Sequence, residues 1–125
     1  MKRLDTEQIK WLHSEVIKAS GGNSGLRDEG LLETAVLSPF QSFDGVECYP
    51  SFLEKAARLG YNLISNHPFV DGNKRAGLHA MLVFLDINGV RIEYKDEDLI
   101  KTIFATASGG LKYDGFLEWV KGHLK

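Results

Sequence analysis

The sequence predicts a mainly α fold, a bundle of about six helices joined by short loops in a single domain covering residues 1–125. Apolar residues recur at three- and four-residue spacing in six separate segments, and capping residues, glycines or prolines punctuate those segments at their ends. Length agrees: 125 residues suffice for one hydrophobic core and are too few for two comfortable ones.

Asp5 and Gln8 form a capping-box start, and Ile9, Leu12, Val16 and Ile17 continue a helix until Gly21-Gly22 stops it. Asp28 caps a short second helix through Leu31, Leu32, Ala35 and Val36, ended by Ser38-Pro39. From Pro39 to Pro50 there is no helical period, so a loop is expected, with a short extended piece at Val46 to Tyr49. Ser51 and Glu54 form a second capping box for a helix running to about Ser65, in which Gly60 lets a neighbouring helix approach. The next helix begins near Asn73 and is the most apolar, with Ala76, Gly77, Ala80, Met81, Val83, Phe84, Leu85 and Ile87 before Asn88-Gly89. It is expected to be central. After a brief extended segment at Val90 to Glu93, Asp96 opens a helix with Leu99, Ile100, Ile103, Phe104 and Ala107 inward, closed by Gly109-Gly110. A last helix runs from about Asp114 through Phe116, Leu117, Trp119 and Val120.

With 43% hydrophobic and 26% charged residues the composition is that of a globular protein. The 15 basic and 17 acidic residues leave a net charge of −2, which offers no global field for direct nucleic-acid binding or for an anionic membrane. Cys48 is the single cysteine, so no internal disulfide and no cysteine-based zinc site can form, and a partly buried position is expected for it. No apolar run is long enough for a signal peptide or a membrane span, and a cytoplasmic location is expected.

The stretch His67-Pro68-Phe69-Val70-Asp71-Gly72-Asn73-Lys74-Arg75 concentrates chemistry that core packing alone does not select. Pro68 and Gly72 mark a tight loop that runs into a helix, and a helix start carries unpaired N–H groups and partial positive charge, which favour anions. Lys74 and Arg75 add cationic charge, Asp71 can hold a hard cation such as Mg²⁺ between phosphate groups, and His67 can act as a general base. The bland alternative is loop punctuation, with Asp71 or Asn73 capping the next helix.

This segment resembles the signature of the Fic/Doc family, His-x-Phe-x-Asp/Glu-Gly/Ala-Asn-Gly/Lys-Arg, at His67, Phe69, Asp71, Gly72, Asn73, Lys74 and Arg75. Gly25-Leu26-Arg27-Asp28-Glu29-Gly30-Leu31-Leu32 and Tyr49-Pro50 extend the likeness to the Doc, or death-on-curing toxin, branch across nearly the whole chain. The resemblance implies a Fic-like helical domain that moves a phosphate-containing group from a nucleotide, ATP with Mg²⁺, to a protein hydroxyl. In that role His67 is the base and Phe69 buries its ring to anchor the loop. Asp71 binds the metal or caps the helix, and Gly72 supplies backbone donors. Asn73 orients phosphate oxygens or locks the loop, while Lys74 and Arg75 bind phosphate, Arg75 as a catalytic clamp.

Lys74 stands where adenylylating relatives have glycine, and Leu78 where they have a second arginine. In the Doc branch these departures accompany an inverted nucleotide, so the implied reaction is transfer of the γ-phosphate to a Ser/Thr hydroxyl. Transfer of AMP is the alternative, favoured by Gly72. The resemblance also makes the loop from Pro39 to Pro50 a flap that aligns the target chain through Val46, Glu47 and Cys48. It further suggests elongation factor Tu as target and a Phd-type antitoxin as partner. No Ser/Thr-x-x-x-Glu-Gly/Asn segment is available for internal inhibition. A non-catalytic phosphate-docking module and a metallohydrolase built on His67, Asp71 and His79 are the competing readings. Otherwise His79 is expected to be a hydrogen-bonded core residue, His13 and His123 to sit among surface charges, and Trp11 and Trp119 to be core residues unless they anchor the partner.

Overall fold

A computed structural model describes residues 1–125 and contains α1 (Thr6–Ser20), α2 (Glu29–Leu37), α3 (Phe52–Asn66), α4 (Asn73–Ile87), α5 (Asp96–Ala107) and α6 (Tyr113–Gly122). A 3-10 turn at Ser38–Phe40 and an antiparallel pair, β1 (Ser42–Phe43) and β2 (Val46–Glu47), lie between α2 and α3. Both expected capping boxes form. Asp5 and Gln8 exchange bonds of 2.8 and 2.9 Å, and Ser51 and Glu54 bonds of 3.1 and 3.3 Å, each cap contributing about 1 kcal/mol. Asp28 caps α2 through Leu31 N–H.

α4 lies against α3, α1 and α5, and α6 packs on the other flank of α3. Small residues set the α3–α4 spacing: a Cβ on Gly60 would stand 3.1 Å from Met81, and one on Gly77 only 2.6 Å from Ile64. Ala76, Ala80, Met81, Phe84 and Leu85 then fill the middle of the core with Leu63, Ile64 and Phe116. α4 is not enclosed on every side, however. His79, expected in the core, is exposed together with Asp86 on the solvent face of α4.

Other expectations also fail for reasons of geometry. Ile100 and Phe104 are 55% and 59% exposed, because α5 meets the core along Leu99, Thr102, Ile103 and Thr106, and the neighbouring stripe looks outward. Trp11 is 62% exposed on the outer face of α1, while Trp119 is half-buried, its indole N–H donating to Asp98 at 3.0 Å. Cys48 is exposed, since it leaves the hairpin rather than entering the core. His123 is tied to Asp98 (2.9 Å) and to the Trp119 carbonyl (2.6 Å), and so has partners on α5 and α6.

The hairpin turns through Asp44 (φ 51°) and Gly45 (φ 78°), the paired left-handed conformations of a type I′ turn. Its root is held by the otherwise buried Lys55, which bonds the Tyr49 carbonyl and lies 3.1 Å from the Glu47 carboxylate. Arg58 sits over the rings of Tyr49, Tyr61 and Tyr113, which ties the same root to α3 and α6. The extended piece after α4 makes one bridge, Ile92 with Leu124. No helix is long and apolar enough to cross a membrane.

Candidate phosphate-binding site

The loop between α3 and α4 is six residues, His67 to Gly72. Its floor is Phe69, 3% exposed, whose ring stacks on His13 at 3.7 Å with an interplanar angle of 5°. The Phe69 ring is thus buried beneath the loop. His13 is 2% exposed, against the expectation of a surface position, and its Nε2 donates to the Asp71 carbonyl at 2.7 Å. A carbonyl can only accept, so this contact requires a proton on Nε2.

Asn73 spends its whole amide on the loop. Oδ1 accepts from Phe69 N–H and Nδ2 donates to the Phe69 carbonyl, both at 2.9 Å, in a residue 7% exposed. Both bonds close on the main chain of Phe69, four residues back. Gly72, at φ 79°, is the N-cap of α4 and contributes no side chain to it, so the first N–H groups of the helix have no side-chain cap. A Cβ there would stand 3.1 Å from Ile17 and 3.5 Å from His13, in a conformation that L residues adopt rarely.

Asp71 does not cap α4. Its Oδ2 accepts from the Asn23 N–H at 2.8 Å, which ties the loop to the segment after α1. Asp71 also lines a cavity of about 410 Å³, together with Gly72, Lys74, Arg75, Leu78 and, on α5, Leu99, Ile100, Ile103 and Phe104, a size in the range of small-ligand sites. Lys74 Nζ lies 5.1 Å from the Phe104 ring centroid across this cavity. Arg75 reaches the end of α1, where its guanidinium bonds the Ser20 hydroxyl and, at 3.4 Å, the Gly21 carbonyl. Leu78 lines the wall, where it adds only apolar surface.

His67 is exposed, at the end of α3, in the left-handed region (φ 51°, ψ 57°). Its Nδ1 lies 2.9 Å from the Ser65 carbonyl, and because that oxygen only accepts, Nδ1 carries a proton; in the neutral ring the lone pair is then on Nε2, open to solvent or substrate. Neither His67 nor the hairpin residues Val46, Glu47 and Cys48 line the cavity. No three His, Cys, Asp or Glu side chains converge as a metal cage, so His67, Asp71 and His79 do not form a hydrolase centre. Asp71 is the one carboxylate lining the cavity, and it is the residue that would hold a Mg²⁺ ion there.

Sequence reasoning missed His13, Arg27 and Ser20. For His13 a signal existed, since it lies four residues after Ile9 and three before Val16, within the apolar stripe of α1.

Residues 3–85 match the model of the Fic/DOC family. A protein named Toxin Doc from Mycolicibacterium smegmatis is 47% identical over 74 residues, which is 59% of this chain and 57% of that protein. The match thus spans little more than half the length of that relative. A protein named Protein kinase doc, from Escherichia phage P1, is 29% identical over 109 residues, 87% of this chain and 85% of that protein. With its motif loop placed between two packed helices and two thirds of its length inside the family model, the chain belongs to the Fic/DOC family, on its Doc side.

Proposed function

We propose that the protein is a Doc-type toxin that transfers the γ-phosphate of ATP to a serine or threonine hydroxyl of a protein target and so arrests growth. One observation carries the catalytic part: His67 donates from Nδ1 to a main-chain carbonyl, which leaves Nε2 as an exposed acceptor beside a loop that opens a helix with cationic residues. An anion-docking module needs Lys74, Arg75 and the helix start but has no use for an imidazole of fixed tautomer.

In this reading the target hydroxyl gives its proton to Nε2 of His67 while its oxygen forms a bond to the γ-phosphorus. The bond from that phosphorus to the bridging oxygen breaks, and ADP leaves with the electron pair. Gly72 and the N–H groups that start α4, with Lys74 and Arg75, neutralise the phosphates and hold them in line. Asp71 would hold Mg²⁺, which supplies charge neutralisation between phosphate groups when bound. Apolar Leu78 in the wall supports γ-phosphate transfer over AMP transfer, since it cannot clamp a second phosphate.

A target in translation, such as elongation factor Tu, and a Phd-type antitoxin belong to the same proposal. Mass spectrometry of a bacterial extract treated with the protein and ATP tests it: a phosphate adduct on one protein hydroxyl is expected, and an AMP adduct would replace this reading with nucleotidyl transfer.

A further inference from the structure

The end of α3 is built from residues that cannot close a helix by themselves. A helix leaves its last carbonyls unpaired, and the usual remedy is a glycine in the left-handed conformation followed by a residue whose N–H turns back to them. Here the left-handed position is His67, and the next residue is Pro68, which has no N–H. A residue before proline also favours extended backbone, so local preference pulls His67 away from the turn it adopts.

The missing donors come from Arg27. Its Nε donates to the His67 carbonyl at 2.6 Å and its Nη2 to the Asn66 carbonyl at 2.8 Å, so one planar fork spans two consecutive acceptors at the negative end of α3. The segment that carries Arg27 is held independently by main-chain bonds: Arg27 N–H and Asp28 N–H to the Pro68 carbonyl at 2.8 and 3.0 Å, Val70 N–H to the Gly25 carbonyl at 2.9 Å, and the bridge of Leu26 with Phe69. Removing the guanidinium therefore leaves the strap in place while releasing the turn. The Nδ1 contact of His67 reaches back only two residues, to Ser65, and so depends on that turn.

We propose that Arg27 is the positioning residue of the reaction: its fork holds His67 in the left-handed turn and thereby aims Nε2 at the acceptor hydroxyl. This rests on the reading of His67 as the proton acceptor. Arg27 touches neither cavity nor phosphate-binding side chains, so its effect belongs to the rate of transfer and not to nucleotide affinity.

The test uses the whole chain with Arg27→Ala and with Arg27→Lys, which keeps the charge but cannot span both carbonyls. Transfer is followed with ATP and the unmodified target protein, nucleotide affinity by calorimetry, and the His67 ring by nitrogen NMR. Expected are a fall in kcat on the order of 100-fold, the scale of a misplaced reacting group, with unchanged nucleotide Kd. Added guanidinium should restore part of the Arg27→Ala rate. In the NMR spectrum, the Nδ1–H tautomer of the wild type should give way to a mixture. Arg27→Lys is expected to behave as Arg27→Ala does without guanidinium, and it remains readable should the alanine variant unfold. Wild-type rates and an unchanged His67 spectrum in both variants would overturn the proposal. A wild type that transfers nothing would refute the functional reading instead, and the NMR comparison would still decide whether Arg27 holds the turn.

Discussion

His67 combines exposure, a fixed tautomer and a left-handed backbone in one residue, and its side chain makes little packing contact. His67→Ala should therefore lower transfer by roughly 10²–10⁴-fold, the usual contribution of a general base, with the melting temperature unchanged. Near-normal turnover would remove it from the mechanism. Gly72 is the opposite case, a residue whose value is the absence of a side chain. Gly72→Ala combines about 1–2 kcal/mol of left-handed strain with crowding against Ile17 and His13, so chemical denaturation should show a loss of at least that size. At this scale the motif was legible because its residue types are improbable as packing. The burial of His13 was legible from its place in the apolar stripe of α1, but its bonding and that of Arg27 were not, because their partners are main-chain carbonyls of residues 71, 66 and 67, and a carbonyl acceptor leaves no mark in the sequence.

Among the elements, the six helices were legible from their stripes, and α1 and α3 from their caps as well, since Asp5 with Gln8 and Ser51 with Glu54 state where a helix begins. The hairpin was half legible. Asp44-Gly45 is a strong type I′ signal, but strands of two residues carry no alternation to confirm it. Which stripe of α5 faces inward was misread for Ile100 and Phe104, because apolarity alone does not distinguish a core face from a cavity wall. Two predictions belong here. Gly77→Ala would drive a Cβ to 2.6 Å from Ile64, with backbone atoms of Gly60 and Ile64 at 3.2 Å, so α3 and α4 must separate and unfolding free energy should drop by about 1–3 kcal/mol.

The root of the hairpin gives an alkaline signature. Burial, with the Glu54 charge second, pushes the Tyr113 hydroxyl up to about 12. Between pH 10 and 12 the unfolded chain releases that proton while the folded chain keeps it, so the contribution to stability is full below pH 10 and fades as pH rises toward 12. Tyr113→Phe should flatten that part of the stability curve, as measured by denaturation at stepped pH. An unchanged slope would mean that the hydroxyl is not shielded.

For the whole molecule, α4 is the support and the motif loop its mouth: core packing at Ala80, Met81 and Phe84 fixes the helix whose first turn faces the cavity. The likeness to toxins predicts that expression of the wild-type chain arrests bacterial growth and that His67→Ala relieves the arrest. Colony counts at matched soluble expression would check this. The central claim is γ-phosphate transfer from ATP to a protein hydroxyl, and the most direct test is to supply ATP labelled on the γ-phosphate and, separately, on the α-phosphate to the protein and its unmodified target. The γ label should reach the target with release of ADP, and the α label should remain in the nucleotide. Target carrying the α label would contradict the account.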